Sequence, residues 1–208
     1  MTVITPAEPI PPRPAVIGVG SGLVLMAFFT LWWASLGPHA WPGGPGWVVL
    51  AIGIAAATAF VGGAVHLLRA LPQFPKVDSV DDRARGRRMG LSFGAIFGVE
   101  GLLIGASSAL LGAFGGNDYE VPVVALIVGL HFAPMARVFE RTIDYYVSAW
   151  LTGVAVLGIV AVRLSWAAVP HVWGLVGVGA AGATITYGIF MLMIAADLLI
   201  RSSFDSET

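Results

Sequence analysis

MGLSFGAIFGVEGLLIGASSALLGAF, residues 89–114, runs through the middle of the chain with one ionisable side chain, Glu100. A bilayer core about 30 Å thick takes about 20 apolar residues of helix to cross. The stretch therefore reads as a membrane span with a carboxylate inside it. Five further stretches of the same kind flank it, at 15–36, 46–68, 121–137, 145–166 and 172–200. The reading is an all-α integral membrane bundle of six transmembrane helices over 15–200. A proline-rich tail at 1–14 precedes it and a short tail at 201–208 follows.

Composition agrees. Of 208 residues, 57% are hydrophobic and 11% charged, against about 25% charged in a soluble domain. Such a chain cannot cover itself with polar surface, so its solvent is mostly lipid. The net charge of −1 gives no reason to expect nucleic acid as a partner. With no cysteine, disulfides, thiolate metal sites and cysteine nucleophiles are excluded. The first fourteen residues hold Pro6, Pro9, Pro11, Pro12 and Pro14. They lack the charged start and short apolar core of a cleavable signal peptide.

The cations set the expected orientation. Arg13 precedes the first span, and Arg69, Lys76, Arg83, Arg85, Arg87 and Arg88 lie between the second and third. Arg137 and Arg141 lie between the fourth and fifth, and Arg201 follows the sixth. Only Arg163 falls on the other side. The positive-inside rule then places both termini and the 69–88 connection in the cytoplasm, and the protein in the cell membrane. Trp32, Trp33, Trp41, Trp47, Trp166 and Trp173 gather at the opposite boundary, as interface tryptophans do. Arg83, Arg85, Arg87 and Arg88 anchor the topology, and they are also the place where an anionic lipid would bind.

Two outer turns look alike: LWWASLGPHAW at 31–41 and LSWAAVPHVW at 164–173. They suggest a parallel repeat of helical hairpins about an axis along the membrane normal. Convergence of interfacial Trp and Pro is the alternative.

Glu100 lies about eleven residues, roughly 16 Å, into its span. His131, in the fourth span, lies roughly 15 Å in from the other side. Consecutive antiparallel helices would bring the two to similar depth, in direct contact or through one water. An ionisable group inside a membrane is a functional-site hypothesis by default. Here it is a proton- or cation-handling pair facing a cavity. The alternative is a polar contact that locks helix packing. His66 and Asp197, near the inner ends of the second and sixth spans, are secondary candidates for an inner vestibule, or residues of the boundary.

No cofactor or metal is implied. His39, His171, Asp118 and Glu120 come from separate outer segments without a ligand spacing, and His66 and His131 differ too much in depth to share a haem. Gly90, Gly94, Gly98, Gly101 and Gly105 form a small-residue pattern that lets helices approach closely. They predict a third span at the centre of the bundle, or a homo-oligomer built on that face.

The stretch IVGLHFAPMARVF (127–139), with FGVEGLLIGASSALLGAFG (97–115) before it, resembles a group of small uncharacterised bacterial multi-pass membrane proteins. The resemblance covers about 50 residues, implies a membrane fold and brings no activity with it. The expected function is a small transporter or channel-like protein for protons, ions or a small solute, using Glu100 and His131. A non-catalytic module that assembles with itself or a partner is the alternative. A membrane-embedded lipid or quinone enzyme ranks below both.

Overall fold

The computed structural model describes residues 11–76 and 80–205. Most of the proline-rich tail and residues 206–208 lie outside them. Seven α-helices are present among these residues: α1 (Arg13–Ala34), α2 (Leu36–Ala40), α3 (Gly44–Arg69), α4 (Val80–Ala113), α5 (Glu120–Phe139), α6 (Thr142–Arg163) and α7 (Val169–Asp205). Six segments are long and apolar enough to cross a membrane, with α2 continuing the α1 segment. No strand occurs among the described residues. In hydrocarbon every backbone N–H and C=O must be satisfied internally, and helices do this within one segment.

Several prolines fall where helices begin, while Pro134 lies inside α5. One lies in the first two positions of both α1 and α3, where no intrahelical N–H partner is lost. Three helices end on one device. After α4, α5 and α6 a residue turns left-handed: Gly115 (φ 72°), Glu140 (φ 54°) and Ser165 (φ 53°). The next amide then reaches back five residues: Gly116 to Leu111, Arg141 to Ala136 and Trp166 to Ala161, at 2.7, 3.1 and 3.0 Å. This is the Schellman closure, which satisfies carbonyls left over at a helix end. Only the first uses glycine, the residue that takes this conformation without steric penalty.

Both ends of the bundle are tied across elements. At one end Arg13 donates to the carbonyls of Phe74 and Pro72, at 2.9 and 3.0 Å. Ser202 donates to Gln73 at 3.2 Å. The start of α1, the α3–α4 connection and the end of α7 thus share one end. At the other, Trp173 donates to the Asp118 carbonyl at 2.8 Å and the Trp41 and His171 rings lie 6.4 Å apart. The two similar turns, 31–41 and 164–173, meet there, but by different paths: the first winds into α2, whereas the second turns at Ser165 before α7.

α1, α3 and α7 form the main core. Val16, Leu23 and Trp33 of α1, Phe60 and Leu67 of α3, and Val176, Ala180 and Met191 of α7 are buried in it. Close approach depends on small residues, since lipid gives helices no hydrophobic reason to associate. α5 and α6 pair tightly with each other. A methyl group added at Gly129 would lie 2.7 Å from the Thr152 backbone nitrogen.

Two expectations need correction. The 69–88 connection is not all loop, because α4 already begins at Val80. Arg and Ala favour helix, so the cationic run continues the span beyond the apolar zone. More important, the third span is not central. α4 packs chiefly on α5, and only 6% of its membrane-length window is buried, against 44% for the α5 segment. A methyl added at Gly90, Gly94, Gly98, Gly101 or Gly105 would meet nothing within 4 Å. Among the described residues these glycines therefore pack against no other helix. Small-residue spacing shows which face can approach a helix, but not that a helix is there.

Candidate functional site

Among the described residues of α4, one is buried, and it is Glu100. It is 4% exposed and sits near the middle of the Gly86–Ala113 membrane-length segment. α4 therefore docks on the bundle through its carboxylate, with Ile104 half-buried against the core.

The partner is His131 of α5. Its Nδ1 lies 3.2 Å from Glu100 Oε1, with both side chains buried. The separation is that of an ion pair, but the alignment does not close a hydrogen bond, so both atoms lack a hydrogen-bond partner. One proton fits between them, on the imidazole or on the carboxyl. Aromatic rings wall the pair. Phe97 of α4 meets the His131 ring edge-on at 5.4 Å, and Phe132 lies 4.4 Å from it. Phe93 stacks on Phe97 and touches Phe139, at 4.5 and 6.1 Å. A low-polarity wall of this kind strengthens electrostatics inside it.

A second polar group, absent from the sequence reading, lies where α5 turns into α6. Asp144, in the first turn of α6, is 0% exposed. Its polar neighbours come from three elements: Tyr187 of α7, Arg141 of the turn and His131 of α5. Tyr187 is the side chain placed to donate to it, yet neither carboxylate oxygen completes a well-aligned hydrogen bond. The Arg141 guanidinium donates to the Tyr187 hydroxyl at 3.4 Å and lies 5.2 Å above the Phe139 ring. Phe132 packs edge-on against Tyr187 at 5.6 Å. The polar groups thus form a column, from Arg141 and Asp144 at the α5–α6 turn to His131 and Glu100.

The other candidates lie elsewhere. His66 is exposed on α3. Asp197 is 54% exposed and pairs with Arg201 one turn on, at 2.8 Å. His39, His171 and Asp118 are exposed, and Glu120 is half-buried at the start of α5. Among the described residues no three His, Asp or Glu side chains converge as a metal site. Arg83, Arg87 and Arg88 are exposed; the Arg85 side chain is outside the described set. A separate apolar groove of about 580 Å³ runs between α6 and α7, lined by Ile143, Tyr146, Val147, Trp150, Gly182 and Thr186. Neither Glu100 nor His131 lines it.

Asp144 was missed because a carboxylate at the start of a span reads as interfacial. A signal was present. Val147, Ser148, Leu151 and Ala155 follow Asp144 at i+3, i+4, i+7 and i+11, and all are buried. That periodicity marks position 144 as inward-facing.

No known protein family, curated protein or solved structure matches the chain. The geometry alone carries the functional reading.

Proposed function

We propose that this protein carries protons, or a small cation in their place, across the cell membrane, with the Glu100–His131 pair as the midplane binding site. One observation carries the reading: the helix with least burial in the bundle buries one described residue, and that residue is a carboxylate against a histidine. A packing contact would serve better with an apolar side chain, because charges in lipid are expensive and replacing a buried pair by hydrophobes is often neutral or stabilising. A pair that takes and releases one proton explains why both groups are there. The Arg-rich end, with both termini, faces the cytoplasm by the positive-inside rule.

Proton flux into proteoliposomes, followed with an internal pH dye, tests this. Wild-type protein conducts under an imposed gradient, and Glu100→Gln, folded to the same degree, falls at least roughly 100-fold, the lower end for a positioned acid–base group. Equal flux in the two proteins would overturn the reading.

A second reading rests on the open face of α4. Among the described residues nothing lies within 4 Å of a methyl added at Gly90, Gly94, Gly98, Gly101 or Gly105, which supports a module that assembles with itself through this stripe. Under it, Gly98→Leu shifts the protein to monomer in single-molecule photobleaching of lipid vesicles. An unchanged step distribution removes it.

A further inference from the structure

Asp144 has no role in the pair described above, yet its burial is more complete. It is 0% exposed, both oxygens lack a completed hydrogen bond, and it lies in the first turn of α6. A structural carboxylate in a protein interior is normally saturated with donors, because each unmet lone pair is costly. This one is surrounded but not saturated. The groups facing it are Tyr187 from α7, Arg141 from the turn and His131 from α5, with Glu100 of α4 behind His131.

Its position along the membrane matters as much. α5 has 20 residues, about 30 Å of helix, the thickness of a hydrocarbon core. The α5–α6 turn therefore falls at a membrane boundary, with Asp144 one turn inside it and Arg141 half-exposed on the turn itself.

We propose that Asp144 is a second proton-binding group, the one through which the Glu100–His131 pair exchanges protons with the Arg-rich side. The inference rests on the proton-handling reading of that pair and names its access route. In the inward step, a hydrated proton at the boundary protonates the Asp144 carboxylate and leaves neutral water. The resulting carboxyl releases that proton toward His131, while the Tyr187 hydroxyl donates to the carboxylate left behind. Asp144 returns to carboxylate, Tyr187 is unchanged and His131 becomes imidazolium beside the Glu100 carboxylate. No redox partner or leaving group is needed. Arg141 is a positioning residue: it fixes the Tyr187 oxygen and its charge balances the carboxylate formed at Asp144.

The test uses the full chain in lipid nanodiscs and vesicles, as wild type, Glu100→Gln, Asp144→Asn, Asp144→Glu and Tyr187→Phe. Infrared difference spectra between pH steps read carboxyl protonation, and the imidazole NMR signal of His131 reads the pair. In the wild type two carboxyl bands respond, one lost in Glu100→Gln and the other in Asp144→Asn. Asp144→Asn leaves the Glu100 band in place, displaces the His131 titration and lowers flux at least roughly tenfold; Asp144→Glu restores flux. Tyr187→Phe, which keeps the ring and its packing, lowers flux with both carboxyl bands intact, and it stands in if Asp144→Asn does not fold. A carboxyl at 144 that never changes protonation, or a His131 titration unmoved by Asp144→Asn, overturns the inference. Absence of wild-type flux alone overturns the transport reading instead, and the spectroscopy still decides whether Asp144 and His131 exchange a proton.

Discussion

The two halves of the bundle are built on different terms. Where α1, α3 and α7 meet, the described buried side chains are mostly apolar and none is ionisable; Thr30 and Thr184 hydrogen-bond at 2.9 Å and Ser202 bonds Gln73 at the end of α7. Where α4, α5 and α6 gather, with Tyr187 reaching over from α7, the interior holds Glu100, His131, Asp144 and a half-buried Arg141. One half is held by apolar packing and a few neutral hydrogen bonds, without a buried charge. The other places ionisable groups where hydrophobes would pack at least as well, which is the pattern expected when stability is given up for chemistry.

The difference can be broken by mutation. The largest effect is expected at Phe60, 1% exposed, which packs against Gly188 of α7. Phe60→Ala should lose about 3–5 kcal/mol of stability in denaturation from lipid micelles, while the protein that remains folded keeps its flux. Loss of flux in proportion to neither folding nor assembly would mean that the halves are coupled. A smaller effect of opposite meaning is expected at the pair. Glu100→Leu combined with His131→Phe should leave stability unchanged or raise it by about 1–4 kcal/mol, with flux abolished. Should the double variant instead unfold more readily than wild type, the pair is a packing lock and the contrast disappears. The smallest concerns neither half. Ser165→Gly relieves a left-handed residue and should stabilise by about 1 kcal/mol without touching flux; a loss of stability would show that the Ser165 side chain holds the turn.

The membrane architecture was legible in the sequence because length and apolarity suffice to mark a crossing helix. Glu100 and His131 could be put at one depth because each helix rises by a fixed amount per residue, and the structure brings them to 3.2 Å. Lateral order was not legible. Nothing in residues 89–114 states which neighbours the span will have, and its glycines pointed to a centre it does not occupy. Asp144 was hidden for a related reason. Its burial comes from a tight turn closed by Glu140 at φ 54° and from Tyr187, distant in sequence. Local pattern alone could flag it only through the inward face it shares with Val147 and Leu151.

That Glu100 is the one residue α4 buries among those described also bears on how the chain is made. Helices enter the bilayer in order, and α4 arrives with a charge-bearing residue near its middle and no histidine yet beside it. A lone ionisable side chain at a helix centre opposes insertion by about 2.5–3.5 kcal/mol on translocon scales. The penalty persists until α5, joined to α4 by the short 114–119 connection, delivers His131. The α4–α5 hairpin is then the unit of insertion. A chain arrested between the two helices would leave Glu100 unpartnered, the state in which membrane quality control would find it.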